Sequence, residues 1–411
     1  MRAGSMAGSP TASCVSTSGH LFQAQGRTEA SVSRPFLPPL ALPSPHRPPS
    51  LSQGNWQLPI EGAVNATSFP GSTLAPLGAA AHAEPNPVQF IVWFEPERVA
   101  AGTYIAAHFP EYLVGTGSLL NLGDDAARAY MTAYLSDAVA SYSLDVLRLD
   151  FNIDPAPDWL AGDAAGRPGV TELKYVAGLY KMWDAVAATR PGLLIDDCAG
   201  GGRRIDLETL ARSVPLWRSD NPGDAAQQQV QTMGLTGFAP VSAGGVAGWD
   251  AYTWRSSGVV GKTIDWGRAG WQTLLAQPAD MAALRAAVAE TQRLRPAAIH
   301  GDFFPLTPVN VQAPWAAYQL HCPADALPGT CAPASGALLV FARPGGAPAP
   351  GTPAFTAALH GVADEPGPCS VHFRYDYAVN ATRSMTGAEL AFLEVDLAGT
   401  ETGCVLVEYA C

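Results

Sequence analysis

The chain has 411 residues, 47% hydrophobic and only 15% charged, with a formal net charge of -12 at pH 7. That length holds two or three domains and a sizeable core, and the acidic balance argues against nucleic acid and anionic membrane as partners, since both select basic patches. No apolar run reaches the roughly 18 residues of a spanning helix, so no membrane partner is expected.

Residues 1–85 are rich in Ser, Pro, Ala and Gly, with Pro-Pro pairs near Pro38 and Pro48 and no lasting periodicity, and are expected to be a disordered leader. Up to residue 60 the only acid is Glu29, against Arg2, Arg27, Arg34 and Arg47, which superficially resembles an organelle transit segment. A non-native leader reads equally well. Val88 to Glu95 is the first convincing strand, stopped by Pro96 in Glu95-Pro-Glu97. Asp124 to Tyr142 has helical spacing, with Met131, Tyr134, Leu135, Ala138 and Tyr142 on the core face and two acids at the positive end of the dipole.

Leu144 to Asn152 is an apolar run of strand length that ends in a polar tip, Asp150 and Asn152. Ile153 to Pro168 reads as a long loop, with Trp159 as either its anchor or a ligand contact. Leu173 to Ala188 is the next helix, with Leu173, Val176, Leu179, Tyr180 and Trp183 expected on its buried face. Leu193 to Cys198 is a strand followed by Gly200-Gly201-Gly202, which lacks the spacings of a phosphate loop but lets backbone approach a ligand closely, with Arg203 and Arg204 as donors or ion-pair members. Asp206 caps a short helix, Val214 to Asp220 repeats the strand-with-acid design, and Asp224 opens a Gln-rich helix ending at Gly234. Phe238 to Ser242 and Gly258 to Asp265 read as strands, Ala279 to Arg295 as a helix ended by Pro296, and Gly301 to Pro305 as an exit loop. From Trp315 onward, short alternating segments broken by Pro and Gly have β-sandwich texture.

Strands alternating with helices imply an α/β fold in which chemistry sits at strand C-terminal ends. Asp150 and Asp220 stand at two such ends, on strands two apart. Alternate strands of a parallel barrel supply one interior layer, and a converging carboxylate pair is what glycoside hydrolysis requires. Arg148, two residues before Asp150, points to the same side of the strand, where it can keep that carboxylate ionised and donate to hydroxyls. An arbitrary Asp is more often a cap or an ion-pair member; the strand-tip context is what favours chemistry here.

Four ordered stretches, Trp93-Phe-Glu-Pro-Glu97, Leu147-Arg-Leu-Asp-Phe-Asn152, Asp197-Cys-Ala-Gly-Gly-Gly-Arg-Arg204 and Leu216-Trp-Arg-Ser-Asp220, resemble the barrel motifs of glycoside hydrolase family 36. The resemblance covers roughly residues 88 to 411. It implies a (β/α)8 TIM-type barrel over residues 86–305, a C-terminal antiparallel β-sandwich over 306–411, and retaining α-galactosidase chemistry without a cofactor or metal. It makes Asp150 the nucleophile and Asp220 the acid/base, with Trp93, Arg148, Asn152, Cys198, Gly201, Arg203 and Trp217 around an α-galactoside substrate. Arg148 departs from the lysine usual in the family, which touches substrate preference, since a guanidinium reaches differently from an ammonium. The family's first barrel strands and large N-terminal β-domain have no counterpart in residues 1–85, so the barrel is expected to be incomplete. Same-class rivals are an α-N-acetylgalactosaminidase and a raffinose-synthase-like galactosyltransferase; the rival from another class is an inactive galactoside-binding remnant. A homo-oligomer stays open.

Of seven cysteines, five crowd the last quarter, and Cys322 and Cys331 flank a short loop that a disulfide could close in an oxidising compartment. Glycosylation acceptors at Asn65-Ala-Thr67 and Asn380-Ala-Thr382 would require the same secretory route, so secreted or lumenal and organellar residence both stay open. No CxxC or paired-His spacing supports zinc.

Overall fold

The computed structural model describes residues 12–15 as backbone and residues 69, 71, 73–265, 276–343, 354–397 and 403–411. The chain divides into two compact units, Met1–Ser213 and Val214–Cys411.

The first unit opens with β1 (Ala12–Val15) and α1 (Ala75–Ala81), both inside the stretch read above as a disordered leader. β1 adds an antiparallel edge to β2 (Gln89–Phe94), a pairing that needs only backbone groups and leaves no periodic signature in four residues. α1 is built from Ala and Gly, which reads as low complexity but favours helix through Ala, and it seats Leu74 and Ala81 in the core. A Cβ at Gly78 would fall 2.1 Å from the Tyr142 carbonyl, so glycine is what lets α1 approach so closely. After β2 come α2 (Tyr104–His108), the ribbon β3 (Leu113–Val114) and β4 (Leu119–Leu120), and α3 (Asp125–Tyr142). Asp124 caps α3 through the amides of Ala126 and Ala127, and Met131, Tyr134, Leu135, Ala138 and Tyr142 are buried as expected.

β5 (Val146–Leu149) lies parallel between β2 and β6 (Leu194–Asp197). The segment read as a loop after Asn152 contains α4 (Ala156–Gly162), and Trp159 packs with its ring 5.5 Å from that of Tyr175, which makes it an anchor. α5 (Val170–Ala187) buries Tyr175, Gly178, Leu179, Met182, Trp183 and Val186, whereas Leu173, placed on that face above, is 70% exposed. The large rings of Tyr175 and Trp183 set the helix phase. The unit ends with α6 (Leu207–Leu210), capped by Asp206.

In the second unit, Asp224 caps α7 (Ala225–Leu235) as expected. β7 (Ala243–Val246) and β8 (Gly261–Ile264) are parallel, with α8 (Ala251–Ser256) between them in sequence. Two expected strands are corrected. Val214 to Asp220 is connecting chain outside any strand that meets β7 through two bonds, Ala243 N to Pro215 O and Arg218 N to Ala243 O, and Pro215 has no amide to donate to a ladder. Phe238 to Ser242 is a connection, and the strand begins at Ala243. α9 (Pro278–His300) continues through Pro296, since Leu294 and Ala298 on either side pack into the core formed with Tyr318 and Leu320 and hold the turn despite the missing amide.

The predicted exit loop is strand β9 (Asp302–Pro305), paired antiparallel with β10 (Trp315–Cys322). β11 (Ser335–Ala342), β13 (Cys369–Arg374), β14 (Ala381–Met385) and β16 (Cys404–Ala410) complete a six-stranded sheet in the order β14-β13-β16-β11-β10-β9. β12 (Phe355–Ala358) pairs with β15 (Phe392–Val395), preceded by α10 (Gly387–Leu390), and the side chains of both sheets share one apolar core. This is the antiparallel sandwich expected from residue 306 on, although the compact unit that contains it begins at Val214, because α9 packs on the same sheet. Cys322–Cys331 and Cys369–Cys411 are disulfides.

Among the described residues the parallel strands are β2, β5 and β6 in one unit and β7 and β8 in the other, fewer than the eight of a closed barrel. No helix among them is long and apolar enough to cross a membrane, and no cluster of His, Cys, Asp and Glu among them could hold a metal ion.

Candidate active site

In the first unit, parallel β2, β5 and β6 end on the same side, and their C-terminal residues form one cluster. Asp150, directly after β5, is 8% exposed. The indole Nε1 of Trp93 donates to its Oδ2 at 3.0 Å, while Oδ1 accepts from the amides of Phe151 at 2.8 Å and Gly200 at 3.4 Å. Burial alone would raise the Asp150 pKa, but hydrogen bonds from Asn152, Trp93 and Cys198 and the charge of Arg148 outweigh it and hold the carboxyl below its ordinary value. Asp150 is therefore an ionised carboxylate kept out of bulk water.

Cys198 faces Asp150, and its thiol is pushed up to about 12, first by burial and then by the neighbouring carboxylate, against the opposing charge of Arg148. A thiol so protonated is a hydrogen-bond donor to Asp150 and a poor nucleophile. The turn beyond it uses positive φ at Gly200 (51°) and Gly201 (82°), and a Cβ at Gly200 would fall 2.5 Å from the Arg203 guanidinium. Glycine is thus favoured by the left-handed backbone at Gly200, and the exposed Arg203 side chain lies against it.

Arg148 sits opposite Asp196 in the β5–β6 register and binds its Oδ2 at 2.6 Å. Its charge reaches Asp150, as read from the sequence, but its ion pair is with Asp196. Asn152 is exposed; its amide donates to Glu95 Oε1 at 2.9 Å and its carbonyl accepts from Arg98 at 3.3 Å. Arg98 also binds Glu95 Oε2 at 2.6 Å. Burial raises the pKa of Glu95, with the Asn152 amide and Arg98 opposing it.

Beneath this layer lies a group that sequence reasoning left out of the site. Glu97, 0% exposed, accepts from Tyr175 Oη at 2.5 Å and from Arg204 at 2.8 Å. Arg204 also lies 3.2 Å from Asp197, with its guanidinium over the rings of Phe151 and Trp183. One arginine faces two buried acids, and the Asp197 pKa is raised to about 7, mainly by burial, with Glu97 adding to it and Arg204 opposing. The sequence signal was available, since Glu97, Asp197 and Arg204 all lie in the quoted motifs; Tyr175, 78 residues from Glu97, carried none.

In the second unit, Trp217 Nε1 donates to Asp220 Oδ1 at 2.8 Å, and Asp220 is exposed. The segment carrying both is fixed from behind. Buried Arg218 donates to Thr232 Oγ1 at 2.6 Å and to the carbonyls of Gln228 and Ser257 at 3.1 Å, and Thr263 Oγ1 donates to Leu216 O at 2.6 Å. Gly245 leaves room for the indole, since a Cβ there would meet Trp217 Cζ3 at 3.0 Å. Thus Trp93, Arg148, Asp150, Asn152, Cys198 and Gly200 form one constellation in the first unit, and Trp217 with Asp220 forms another in the second.

A family model described as Melibiase matches residues 50–247. Alpha-galactosidase 1 of Pediococcus pentosaceus is 25% identical over 154 residues, 35% of this chain and 21% of that protein. The bifunctional alpha-galactosidase/sucrose kinase AgaSK of Mediterraneibacter gnavus is 28% identical over 204 residues, 47% of this chain and 20% of that one. The solved structure of the family 36 α-galactosidase AgaB from Geobacillus stearothermophilus matches with a TM-score of 0.68 at 18% identity, over 87% of this chain and 49% of that one, a likeness of fold. The matched region spans only part of each curated relative, and this chain about half of the solved one. The Melibiase match and the α-galactosidase relatives make the chain similar to the α-galactosidase-like proteins of glycoside hydrolase family 36, and the solved structures share its fold.

Proposed function

We propose that the chain acts as a retaining glycoside hydrolase that releases terminal α-linked galactose. The observation that carries this reading is Asp150: a buried carboxylate at a strand tip, held ionised by Trp93, Asn152, Cys198 and Arg148. In the first step an Asp150 oxygen attacks the anomeric carbon, the glycosidic C–O bond breaks, and Asp220 gives its proton to the departing oxygen. In the second, Asp220 takes a proton from water, whose oxygen displaces Asp150 and frees galactose. Trp93 and the Cys198–Gly201 turn would face the sugar, Arg148 and Arg203 would supply donors, and Trp217 would orient Asp220. Two carboxylates suffice for both steps, and the solved complexes of Geobacillus stearothermophilus AgaA variants with raffinose and stachyose support an α-galactoside as substrate.

The test is a pair of variants assayed on melibiose and on 4-nitrophenyl α-galactoside. Asp150→Asn abolishes turnover of both. Asp220→Asn loses roughly 10²- to 10⁴-fold on melibiose, where the leaving group needs a proton, and far less on the nitrophenyl substrate, where it does not. Equal losses on the two substrates would remove the assigned roles.

A further inference from the structure

Behind the segment that carries Trp217 and Asp220, the second unit buries cations without acids. Arg218 is 5% exposed, and no carboxylate pairs with it among the described residues. Its Nη2 is spent on Thr232 Oγ1 and on the carbonyls of Gln228 and Ser257, while its Nε, also buried, has no hydrogen-bond partner among those residues. Lys262 gives its Nζ to the carbonyls of Trp254 and Gly258 and to Ser257 Oγ, and Arg295 gives its Nε to the Val260 carbonyl at 2.9 Å. Neither pairs with a carboxylate among the described residues; Glu290, whose charge reaches Lys262, is bound to Arg255 at 2.8 Å. Burial depresses the pKa of all three cations, that of Arg218 to about 10, and the charge of Arg218 lowers that of Lys262 further. A charge taken out of water ordinarily has a partner of opposite sign.

Arg218 also lines a small cavity, walled by Thr232, Ser242, Gly258, Val260 and Phe303 among others, with room for about one particle of water's size. Exposed Pro240 and half-buried Thr236 and Val260 bring its lining to the surface, which gives a small ion a way in. Tyr318, in β10, carries a second buried donor without a partner, its hydroxyl, and the charge of Arg218 acts on it. This chemistry selects the occupant. Bare donors and uncompensated positive charge call for an anion, and the size rejects sulfate, phosphate and carboxylate-bearing molecules. Apolar lining at Val259, Val260, Ala298 and Leu320 replaces none of an ion's lost hydration, which favours a weakly hydrated monovalent ion. Chloride, slightly larger than water, meets these demands.

We infer that this cavity is an anion site that takes a chloride ion against Arg218 and so neutralises the cation that anchors the Asp220 segment. The inference is independent of the galactosidase reading, since neither sugar nor turnover enters its test. The full chain is melted in sodium chloride and, at equal ionic strength, in sodium gluconate, whose anion is too large to enter. Chloride alone should raise Tm with a saturating dependence, by roughly 2–4 °C at a twentyfold excess over its dissociation constant. Arg218→Met, matched to the parent by circular dichroism, should lose the chloride response. Val260→Phe, which keeps Arg218 and adds bulk at the lining, should weaken it at least roughly tenfold, and it decides the matter should Arg218→Met fail to fold. Anomalous scattering from crystals of the parent grown in bromide should then place the ion beside Arg218 Nε. A Tm that does not respond to chloride, or that rises equally in gluconate, overturns the inference. So does a response that survives both substitutions, or a crystal with water at Arg218 and bromide only elsewhere.

Discussion

Replacing Arg204 by Met tests whether the buried acids beneath Asp150 are held by that one cation. Arg204 binds Glu97 at 2.8 Å and Asp197 at 3.2 Å, and both acids are almost completely removed from solvent. Methionine keeps much of the side-chain volume between Phe151 and Trp183 but leaves two carboxyls with no cation between them. Breaking a buried ion pair on one side costs about 3–5 kcal/mol, most of it the burden of the uncompensated charge. Glu97 keeps its bond from Tyr175, and Asp197 can take up a proton, so the loss should lie at the lower end, about 3 kcal/mol at pH 7. Urea denaturation followed by tryptophan fluorescence measures it, since Trp159 and Trp183 both pack in this core. The double variant Arg204→Met with Asp197→Asn should recover about 1–2 kcal/mol, because one charge no longer needs a partner. A single-variant loss under about 1 kcal/mol, or a double variant no more stable than the single, would refute the reasoning.

Asp197 itself gives a pH signature. Its folded pKa of about 7 lies above its ordinary 3.8, so the folded chain holds this proton more tightly than the unfolded one. Its contribution to stability is complete below about pH 4 and is lost as the pH rises to about 7, by up to about 4 kcal/mol, and Asp197→Asn should flatten that part of the stability profile; an unchanged slope contradicts the assignment. Trp93→Phe removes the donor 3.0 Å from Asp150 and should raise that carboxyl's pKa, moving the acid limb of the kcat/KM profile to higher pH, whereas an unmoved limb would show that the indole does not hold the charge. Cys198, buried with its thiol near 12, should resist iodoacetamide at pH 8 in the folded chain and react after denaturation. Non-reducing peptide mapping should find Cys322 joined to Cys331 and Cys369 to Cys411, and protein glycosylated at Asn380 but with free thiols at these positions would contradict the oxidising route.

The elements legible in the sequence were those where one local rule dominates. Asp124, Asp206 and Asp224 cap helices where the pattern placed them, and the apolar run before Asp150 is a strand with its acid at the tip. Val214 to Asp220 shows the same surface pattern, yet what fixes it is distant: Arg218 reaches Thr232 and Ser257, and β7 receives only scattered bonds from it. Pro296 reads as a helix stop, but packing of Leu294 and Ala298 overrides one missing hydrogen bond. Leu173 shows that an apolar residue at helical spacing does not fix the helix phase when larger rings compete. In the site, the motif residues were found and their partners were not: that Arg148 pairs with Asp196, or that Tyr175 donates to Glu97, depends on strand register and on a helix crossing, neither of which has a local signal.

The central claim is that Asp150 forms a covalent bond to the sugar during turnover. Incubation with 2-deoxy-2-fluoro-α-galactosyl fluoride slows breakdown of such an intermediate, because the electron-withdrawing fluorine destabilises the oxocarbenium-like transition state for its hydrolysis, and proteolysis with mass spectrometry then locates the sugar. The account predicts one fluorogalactosyl group per chain, on the peptide that contains Leu147-Arg-Leu-Asp-Phe-Asn152 and on Asp150 within it, and none on Asp150→Asn. A label on any other carboxylate, or turnover that releases the β-anomer with no labelled peptide, contradicts it.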